Sequence, residues 1–393
     1  MRTTRIRLAW LPAGLLVASG GAAATVLAKR PEAHRTARVA AAQVLLRRLA
    51  AVRPTHAHRR ARSHRAWDVV YAAAATRRLS PAVRGIRPRV YVPNSESGTV
   101  DVIDPGSGRV VARYAVGALP HHVTPAWSLE WLYVDNTDGN SLTVISPRTG
   151  RPVRTIPVED PYNLYFTPDG KQAVVVAERF RRLDFRDPHD WKLIASVAIP
   201  GAGPDHLDFS ADGRTLLLST EWDGQLFRVD VDRHEITGHA HVGGLPVDVK
   251  LSPDGSLYYV ANQGLGGVSI LAADDLRQVG FVRTGAGAHG LCVSRNARYL
   301  YVSNRLAGSI SVISFRTHRV VHTWHVGGSP DMLQVSLDGK ELWVTNRFNA
   351  SVLEIRIANG RVIRTIPVGA GAHGLAFFPQ PGRYSIGHNG VYR

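Results

Sequence analysis

Residues 298–336, RYLYVSNRLAGSISVISFRTHRVVHTWHVGGSPDMLQVS, contain four short apolar segments separated by turns. The segments are YLYVSN, SISVIS, RVVHTWHV and DMLQVS. Each is rich in β-branched and aromatic residues and is bounded by Gly, Ser, Asn or Pro, as expected of strands. Helical repeats of this length need longer segments with a 3.6-residue period, and this stretch has none. It therefore predicts four antiparallel strands, which is the content of one propeller blade.

The same unit occurs seven times along the chain. One strand of each copy ends in Asn or Glu, at Asn94, Asn136, Glu178, Glu221, Asn262, Asn304 and Asn346. The units begin at residues 89, 131, 171, 214, 256, 298 and 340, so the period is about 42 residues and insertions are almost absent. Such a repeat predicts an all-β fold, a seven-bladed β-propeller with four-stranded antiparallel blades, over residues 89–378.

The ends of the repeat region predict how the ring closes. The first unit lacks an inner strand before Arg89, whereas an additional inner-type strand, HGLAFF, follows the seventh unit from His373. Pairing this C-terminal strand with the first blade leaves no open sheet edge. The sequence thus predicts seven complete blades, followed by a C-terminal tail over residues 379–393 that emerges beside the first blade.

The first 28 residues indicate export. A basic start is followed at residues 8–28 by an uncharged, mostly apolar segment, long enough at 21 residues to cross a bilayer, which needs about 20. We expect either a cleaved signal peptide or a membrane anchor. The protein is then exported and lies in the cell envelope or outside the cell.

The net charge of +17 belongs mainly to residues 29–88, which hold fifteen Lys and Arg against Glu32 and Asp68. This Arg-rich arm is expected to be partly an amphipathic helix, over residues 33–52, followed by a disordered linker over residues 53–65. A basic helix of this kind can lie on an anionic membrane surface. Nucleic-acid binding is not expected, because the arm has no reader motif and no interleaved aromatic residues.

The turns that lead from the outer strand of one blade into the inner strand of the next lie at one mouth of the central channel. Their variable positions hold polar residues in most copies, which makes this mouth the candidate ligand site. The candidate residues are His121, His122, Tyr162, Asp205, His206, Asp248, His289, Asp331 and His373. The loops after the Asn or Glu positions open on the same face and add the rim residues Glu178, Glu221, Trp222, Arg305 and Arg347.

Four of these residues come from consecutive blades and form a His/Asp arc. The set His121, His289, Asp331 and His373 suits a divalent metal ion or an acid/base pair. The alternative is that polar residues line a water-filled channel and cap its turns. No P-loop, GxSxG elbow or HExxH motif is present, and the GxGxxG matches at residues 285–290 and 369–374 enter strands rather than helices.

Tyr-Val-x-Asn strands, followed by Val-x-Val-Ile-Asp and then Val-Gly-x-x-Pro-His-Gly, resemble the YVTN family of β-propeller repeat proteins. The resemblance covers residues 89–378 and implies the propeller fold. It leaves the function open, because that family includes surface-layer, binding and envelope proteins, and related propellers include enzymes.

Three functional hypotheses remain. The leading one is an exported, monomeric, non-enzymatic propeller that binds a protein, a glycan or a small ligand at the channel mouth. The second is a metal-dependent enzyme of the lyase or lactonase type that uses the His/Asp arc. The third is a scaffold whose basic arm binds anionic lipid or nucleic acid.

Overall fold

The computed structural model of the chain describes residues 70–76 and 78–393. These residues form seven four-stranded antiparallel sheets, which are the seven blades of the propeller. Every blade runs from an inner strand at the channel to an outer strand. The predicted fold class and number of blades are confirmed.

Twenty-eight strands build the blades of the described chain. In chain order they are β1 (Arg89–Asn94), β2 (Thr99–Asp104), β3 (Arg109–Ala115), β4 (Pro120–Pro125), β5 (Leu132–Asn136), β6 (Ser141–Ser146), β7 (Arg151–Pro157), β8 (Asn163–Phe166), β9 (Ala173–Ala177), β10 (Arg182–Arg186), β11 (Leu193–Ala198), β12 (Pro204–Phe209), β13 (Thr215–Thr220), β14 (Gln225–Asp230), β15 (Glu235–His241), β16 (Pro246–Leu251), β17 (Leu257–Asn262), β18 (Gly267–Ala272), β19 (Gln278–Arg283), β20 (Ala288–Val293), β21 (Tyr299–Asn304), β22 (Ser309–Ser314), β23 (Arg319–His325), β24 (Pro330–Val335), β25 (Glu341–Asn346), β26 (Ser351–Arg356), β27 (Arg361–Pro367) and β28 (Ala376–Phe378).

Burial changes from the inner to the outer strands. Inner strands such as β4 and β12 are buried along their whole length, because they lie between the channel and the neighbouring blades. Outer strands such as β3 and β15 alternate between exposed and half-buried residues, as expected of a strand with one face towards solvent. Between the blades lie apolar clusters, of which one contains Phe185 and Phe209.

The C-terminal strand closes the ring as predicted. Strand β28 pairs antiparallel with β1, with Tyr91 opposite Ala376 and Arg89 opposite Phe378. The first blade therefore takes its inner strand from the end of the repeat region and its other three strands from the beginning. This pairing gives the first blade four strands, like the other six.

Residues 70–76 and 78–88, which fall within the predicted arm, pack against the propeller. They form a four-residue helix, α1 (Ala72–Ala75), and a single 3₁₀ turn, Pro81–Val83. The Tyr71 hydroxyl donates a hydrogen bond to the Leu251 carbonyl oxygen at 3.0 Å. The predicted helix over residues 33–52 and the predicted export segment lie outside the described residues. Among the residues that are described, no helix has the length and apolar character needed to cross a membrane.

The C-terminal tail does not emerge beside the first blade, so that prediction was wrong. Residues 383–393 form a small hairpin, in which the Ile386 amide donates to the Val391 carbonyl at 2.9 Å. The Phe166 amide of β8 donates to the Ile386 carbonyl at 2.9 Å, and the Arg393 guanidinium reaches Asp208 at the far end of β12. The hairpin therefore lies inside the central channel, because only there does it meet the inner strands of several blades.

Candidate functional site

The register of the blades brings the predicted site residues to one end of the channel. In the sixth blade Ala288 lies opposite Asn304, and in the seventh Pro330 lies opposite Asn346. The first residues of an inner strand thus adjoin the loop that follows the next strand. The inner-strand histidines and the rim residues consequently share one mouth, as the sequence predicts.

Six histidine rings form a contiguous cluster across the channel. The ring centroids of His121 and His373 lie 4.0 Å apart, and those of His289 and His373 lie 5.7 Å apart. His122 and His206 follow at 5.4 Å, and His206 lies 4.7 Å from the ring of His388. All six side chains are buried.

Asp331 binds the basic residues on one side of this cluster. Its Oδ1 lies 2.8 Å from His289 Nδ1 and accepts from Arg305 at 2.6 Å. Its Oδ2 lies 2.8 Å from His373 Nδ1 and 3.6 Å from the Arg347 guanidinium. Burial alone raises the pKa of a carboxyl, but Arg305, His373 and His289 hold the pKa of Asp331 well below its usual range. Asp331 is therefore an ionised acceptor.

Asp205 and His206 form a buried ion pair on the opposite side of the channel. Burial opposes both charges, yet the neighbouring Asp205 raises the pKa of His206 and the neighbouring His206 lowers that of Asp205. Desolvation by burial, followed by the adjacent Asp205, raises the pKa of the Tyr162 phenol well above its ordinary value. Tyr162 therefore remains a neutral hydroxyl at this site.

Asp248 is used for structure rather than presented to a ligand. Its Oδ1 accepts from Lys250 Nζ at 2.6 Å, and its Oδ2 accepts from the Leu291 amide of the next blade at 2.8 Å. Both oxygens of this predicted mouth residue therefore have protein partners.

In most blades the strand next to the inner strand ends in an asparagine, whose side chain stabilises the turn that follows. Asn136 Nδ2 donates to Ser141 and Thr143 at 3.2 and 2.9 Å, and Asn304 donates to two serines in the same way. The third and fourth blades have Glu178 and Glu221 at this position. A carboxylate cannot donate these hydrogen bonds, so the two acids do not hold the turn as asparagine does. Their side chains are available to a ligand at the channel mouth.

Both of these acids have raised pKa values. Burial, followed by the nearby negative charge of Asp205, raises the pKa of Glu178 to about 7 and that of Glu221 to about 8. Their protein partners are neutral donors: Trp222 Nε1 lies 3.3 Å from Glu178, and Gln263 Nε2 lies 2.9 Å from Glu221. The mouth thus has an acidic side at blades three and four and an arginine side at blades six and seven.

Exposed apolar side chains from five consecutive blades surround the charged residues of the mouth. Each follows an Asn or Glu position by one to three residues, so the repeat places them on the same rim. Trp222 exposes 52% of its surface and Leu306 exposes 74%. The apolar rim consists of Phe180, Trp222, Leu265, Leu306 and Phe348.

The sequence did not predict that the tail would contribute to the site. His388 Nδ1 lies 3.2 Å from Asn163 Oδ1, and Asn389 Oδ1 lies 3.0 Å from His122 Nδ1. The available signal was the Asn389-Gly390 pair between apolar residues, which is typical of a hairpin turn. The pair indicates the hairpin, but only the tertiary structure places it in the channel.

Several histidine nitrogens of the cluster have no protein partner although they are buried. They are both nitrogens of His121 and His206, the Nε2 atoms of His122 and His373, and the Nδ1 atom of His289. Of these, His206 Nδ1 and His289 Nδ1 lie against the carboxylates of Asp205 and Asp331. Burial lowers the pKa values of His121, His122 and His373 well below the ordinary value, so these rings are neutral. A neutral imidazole carries one free lone pair, which is the form that binds metal ions.

Cys292 borders a cavity beside the tail hairpin, together with Lys250, Gln334 and His388. Burial raises the pKa of its thiol to about 11. The thiolate is therefore scarcely populated near neutral pH.

Solved structures with the same fold have varied functions. Hydrazine synthase of Kuenenia stuttgartiensis matches with a TM-score of 0.60 and 21% identity over 71% of this chain and 94% of that one. A 6-phosphogluconolactonase of Bacteroides uniformis, itself assigned only provisionally, gives 0.61 and 16% over 74% and 99%. The dihydro-heme d1 dehydrogenase NirN gives 0.59 and 14% over 86% and 85%. At these identities the likenesses show the fold alone.

Among proteins with curated descriptions none matches the chain. Residues 67–381 match the model of one protein family, described as YNCE-like beta-propeller. This match confirms the resemblance to propeller repeat proteins that the Tyr-Val-x-Asn strands indicate. Because it spans most of the chain and all seven blades, the protein belongs to the YNCE-like beta-propeller family.

Proposed function

We propose that this protein is a binding propeller, whose channel mouth recognises a ligand with a cationic group, an anionic group and an apolar body. The observation that carries the proposal is the division of charge across the mouth. Glu178 and Glu221 lie on one side without a cationic partner that neutralises them, and Arg305 and Arg347 lie on the other. A ligand with both charges complements the two sides.

The two sides adjoin through one side chain. Gln263 donates to Glu221 Oε1 at 2.9 Å and accepts from Arg305 Nη1 at 3.2 Å. A ligand that spans a few ångströms thus reaches both charges. The apolar rim above them removes water from the body of the ligand, which strengthens the charged contacts beneath.

Export is part of the same proposal. The basic start and the uncharged residues 8–28 support it, and a protein, glycan or small molecule of the envelope would be the partner. Contact of the basic arm with an anionic membrane is compatible with this location.

Calorimetric titration with three related probes tests the ligand chemistry. L-leucine carries both charges, L-leucinamide only the cation, and N-acetyl-L-leucine only the anion. We expect leucine to bind at least tenfold more tightly than either derivative, since a hydrogen bond to a charged group contributes about 1.5–3 kcal/mol. Equal binding of the three probes, or binding of none at millimolar concentration, contradicts the proposal.

Two variants locate the binding. Glu221→Gln and Arg347→Gln are each expected to weaken leucine binding about tenfold or more, because each removes one charge. Glu235→Gln and Arg361→Gln change exposed residues of the outer strands β15 and β27 and serve as controls. Affinity for leucine, whose amino group stays protonated in this range, should also rise between pH 6 and 8.5, as Glu178 and Glu221 lose protons. A flat pH profile opposes the assignment of these acids.

A further inference from the structure

The histidine cluster contains a second feature that ligand binding at the mouth does not use. In His122 and His373, the Nδ1 atom has an oxygen partner, from Asn389 at 3.0 Å and from Asp331 at 2.8 Å. Arg347 Nη1 lies 2.8 Å from the same Nδ1 atom of His373. Asp331 only accepts and Arg347 only donates, so the two partners favour opposite tautomers of the ring. In the tautomer that Asp331 favours, with the proton on Nδ1, the Nε2 atom of His373 carries a free lone pair, and this atom has no protein partner.

Such an arrangement is typical of metal-binding histidines. A ligating imidazole usually donates its other N–H to a carboxylate or an amide oxygen, which fixes the ring and its tautomer. Asp331 is placed to accept such a hydrogen bond from His373, and Asn389 is placed to accept one from His122. Neither interaction needs a metal, but together they direct two lone pairs away from their oxygen partners.

Ring nitrogens of three of these histidines also converge. One ring nitrogen from each of His121, His122 and His373 lies within 4.8 Å of the other two. In these three rings, both nitrogens of His121 and the Nε2 atoms of His122 and His373 are buried and have no hydrogen-bond partner. Leaving buried polar atoms unsatisfied is energetically costly, so an occupant that binds them is favoured.

We infer that His121, His122 and His373 bind one divalent first-row transition-metal ion, with Zn²⁺ the best match, and that Asp331 and Asn389 are positioning residues. Three neutral imidazoles suit Zn²⁺, which commonly takes three protein ligands and keeps a fourth position open. The competing occupant is a water molecule, which also satisfies two to four polar atoms in a buried site.

This site differs from the His/Asp arc that the sequence suggests. His289 does not qualify as a ligand, because its Nδ1 lies 2.8 Å from Asp331 and its Nε2 lies 2.7 Å from the Arg305 guanidinium. Asp331 has both oxygens occupied by His289, Arg305 and His373. Its negative charge therefore acts on the ion through His373.

A second group of nitrogens, from His122, His206 and His388, also lies within 4.8 Å. It shares His122 with the first group, so a substitution of His122 cannot distinguish the two possible sites. In this second group both ring nitrogens of His388 have protein partners. Its Nδ1 atom lies 3.2 Å from Asn163 Oδ1 and its Nε2 atom lies 3.4 Å from Asn389 Nδ2, so the first group is the better site.

The test is titration of the full-length, tag-free protein with ZnCl₂ after treatment with a chelator. Co²⁺ is titrated in parallel, because its visible absorption reports tetrahedral nitrogen coordination. His34, His56, His58 and His64 precede the propeller and can bind metal too. The relevant quantity is therefore the difference between wild type and variant. We expect His121→Gln and His373→Gln each to lose one equivalent and the Co²⁺ bands.

Two controls make the result specific. His289→Gln changes a histidine of the same cluster that is not a ligand, and His325→Gln changes an exposed one at the end of β23. Both should retain the equivalent. Circular dichroism and the melting temperature show whether His121→Gln and His373→Gln remain folded. The Asn389→Ala variant should bind Zn²⁺ about 10–100-fold more weakly and shift the Co²⁺ bands, while the melting temperature stays within a few degrees.

Three outcomes overturn the inference. The first is a wild-type protein that binds no more Zn²⁺ than folded His373→Gln. The second is loss of the ion in His206→Gln or His388→Gln with retention in His121→Gln, which moves the site to the second group. The third is absence of the Co²⁺ bands, which leaves water as the occupant.

Discussion

Glu178 and Glu221 occupy a position at which five other blades have asparagine. The asparagine is structural, because its amide holds the next turn. Of the two acids, Glu221 is buried and Glu178 is half-buried, and neither has a neutralising cation. Their carboxyl groups keep protons in the folded protein at pH values at which the unfolded chain has lost them. The folded state is therefore disfavoured as the pH rises through this range.

This gives a prediction for Glu221→Gln. The pKa of Glu221 rises from its ordinary 4.5 to about 8, so the free energy of unfolding of the wild type falls between these values. The glutamine variant lacks this loss, and its stability relative to the wild type should increase from pH 5 to pH 8.5. Urea unfolding at both pH values measures the difference, with exposed Glu235→Gln as the control. A constant difference contradicts the raised pKa.

For individual residues, the sequence predicts which side chains lie at the site better than it predicts what each of them does. The repeat predicts that His121, His289, Asp331 and His373 share one mouth. It does not predict which ring nitrogen remains free, because that depends on partners from other blades. Asp331 of the seventh blade, for example, lies 2.8 Å from Nδ1 of His289 in the sixth blade and 2.8 Å from Nδ1 of His373, which precedes β28 of the first blade.

The tail hairpin is the element whose position the repeat could not predict. Gln334 of β24 fixes it, since its Nε2 donates to the carbonyls of Asn389 and Gly390 at 2.7 and 2.8 Å. The Gln334 Oε1 also accepts the Phe377 amide of β28. One buried side chain thus connects the hairpin and the closing strand to the seventh blade.

We expect Gln334→Ala to destabilise both elements. The substitution leaves buried backbone groups without partners, at about 1–3 kcal/mol for each group that water does not reach. Hydrogen exchange of the amides in residues 376–392 should become faster, with a lower melting temperature. Gln278→Ala, an exposed change at the start of β19, is the control. Unchanged exchange in these residues means that other contacts hold the hairpin.

For elements within the repeat, the sequence is a good guide. The strand ends at Asn304 and Asn346, for example, lie where the pattern puts them. The hairpin occurs once, so it has no second copy for comparison. Its Asn-Gly turn predicts the local shape, but its docking depends on long-range contacts with β8 and β12.

The ring of the whole molecule depends on the pairing of β28 with β1. Phe378 of β28 is almost completely buried and packs in the cluster that contains Tyr91 and Leu132. Closure therefore combines backbone pairing with apolar burial between the first and the last part of the repeat. The sequence predicts this arrangement, because the first unit lacks one strand and the end of the chain supplies it.

Phe378→Ala should weaken the closure. Removal of a buried phenylalanine side chain costs about 3–5 kcal/mol, and the melting temperature should fall accordingly. Phe281→Ala removes a more exposed ring from β19 and should have a much smaller effect. Denaturation of the two variants in parallel measures the difference. Equal losses indicate that β28 contributes no more than an ordinary peripheral contact.

The position of the tail hairpin at the end of the repeat region determines when the histidine cluster can form during biosynthesis. Asn389, the partner of His122, follows it in the chain by 267 residues. At about 5–20 residues per second, a ribosome needs roughly 15–50 s to make the intervening chain. During that interval His121 and His122 are on a nascent blade without their partners. The histidine cluster is therefore a late product of translation, and any ion that it holds enters after the last blade has left the ribosome.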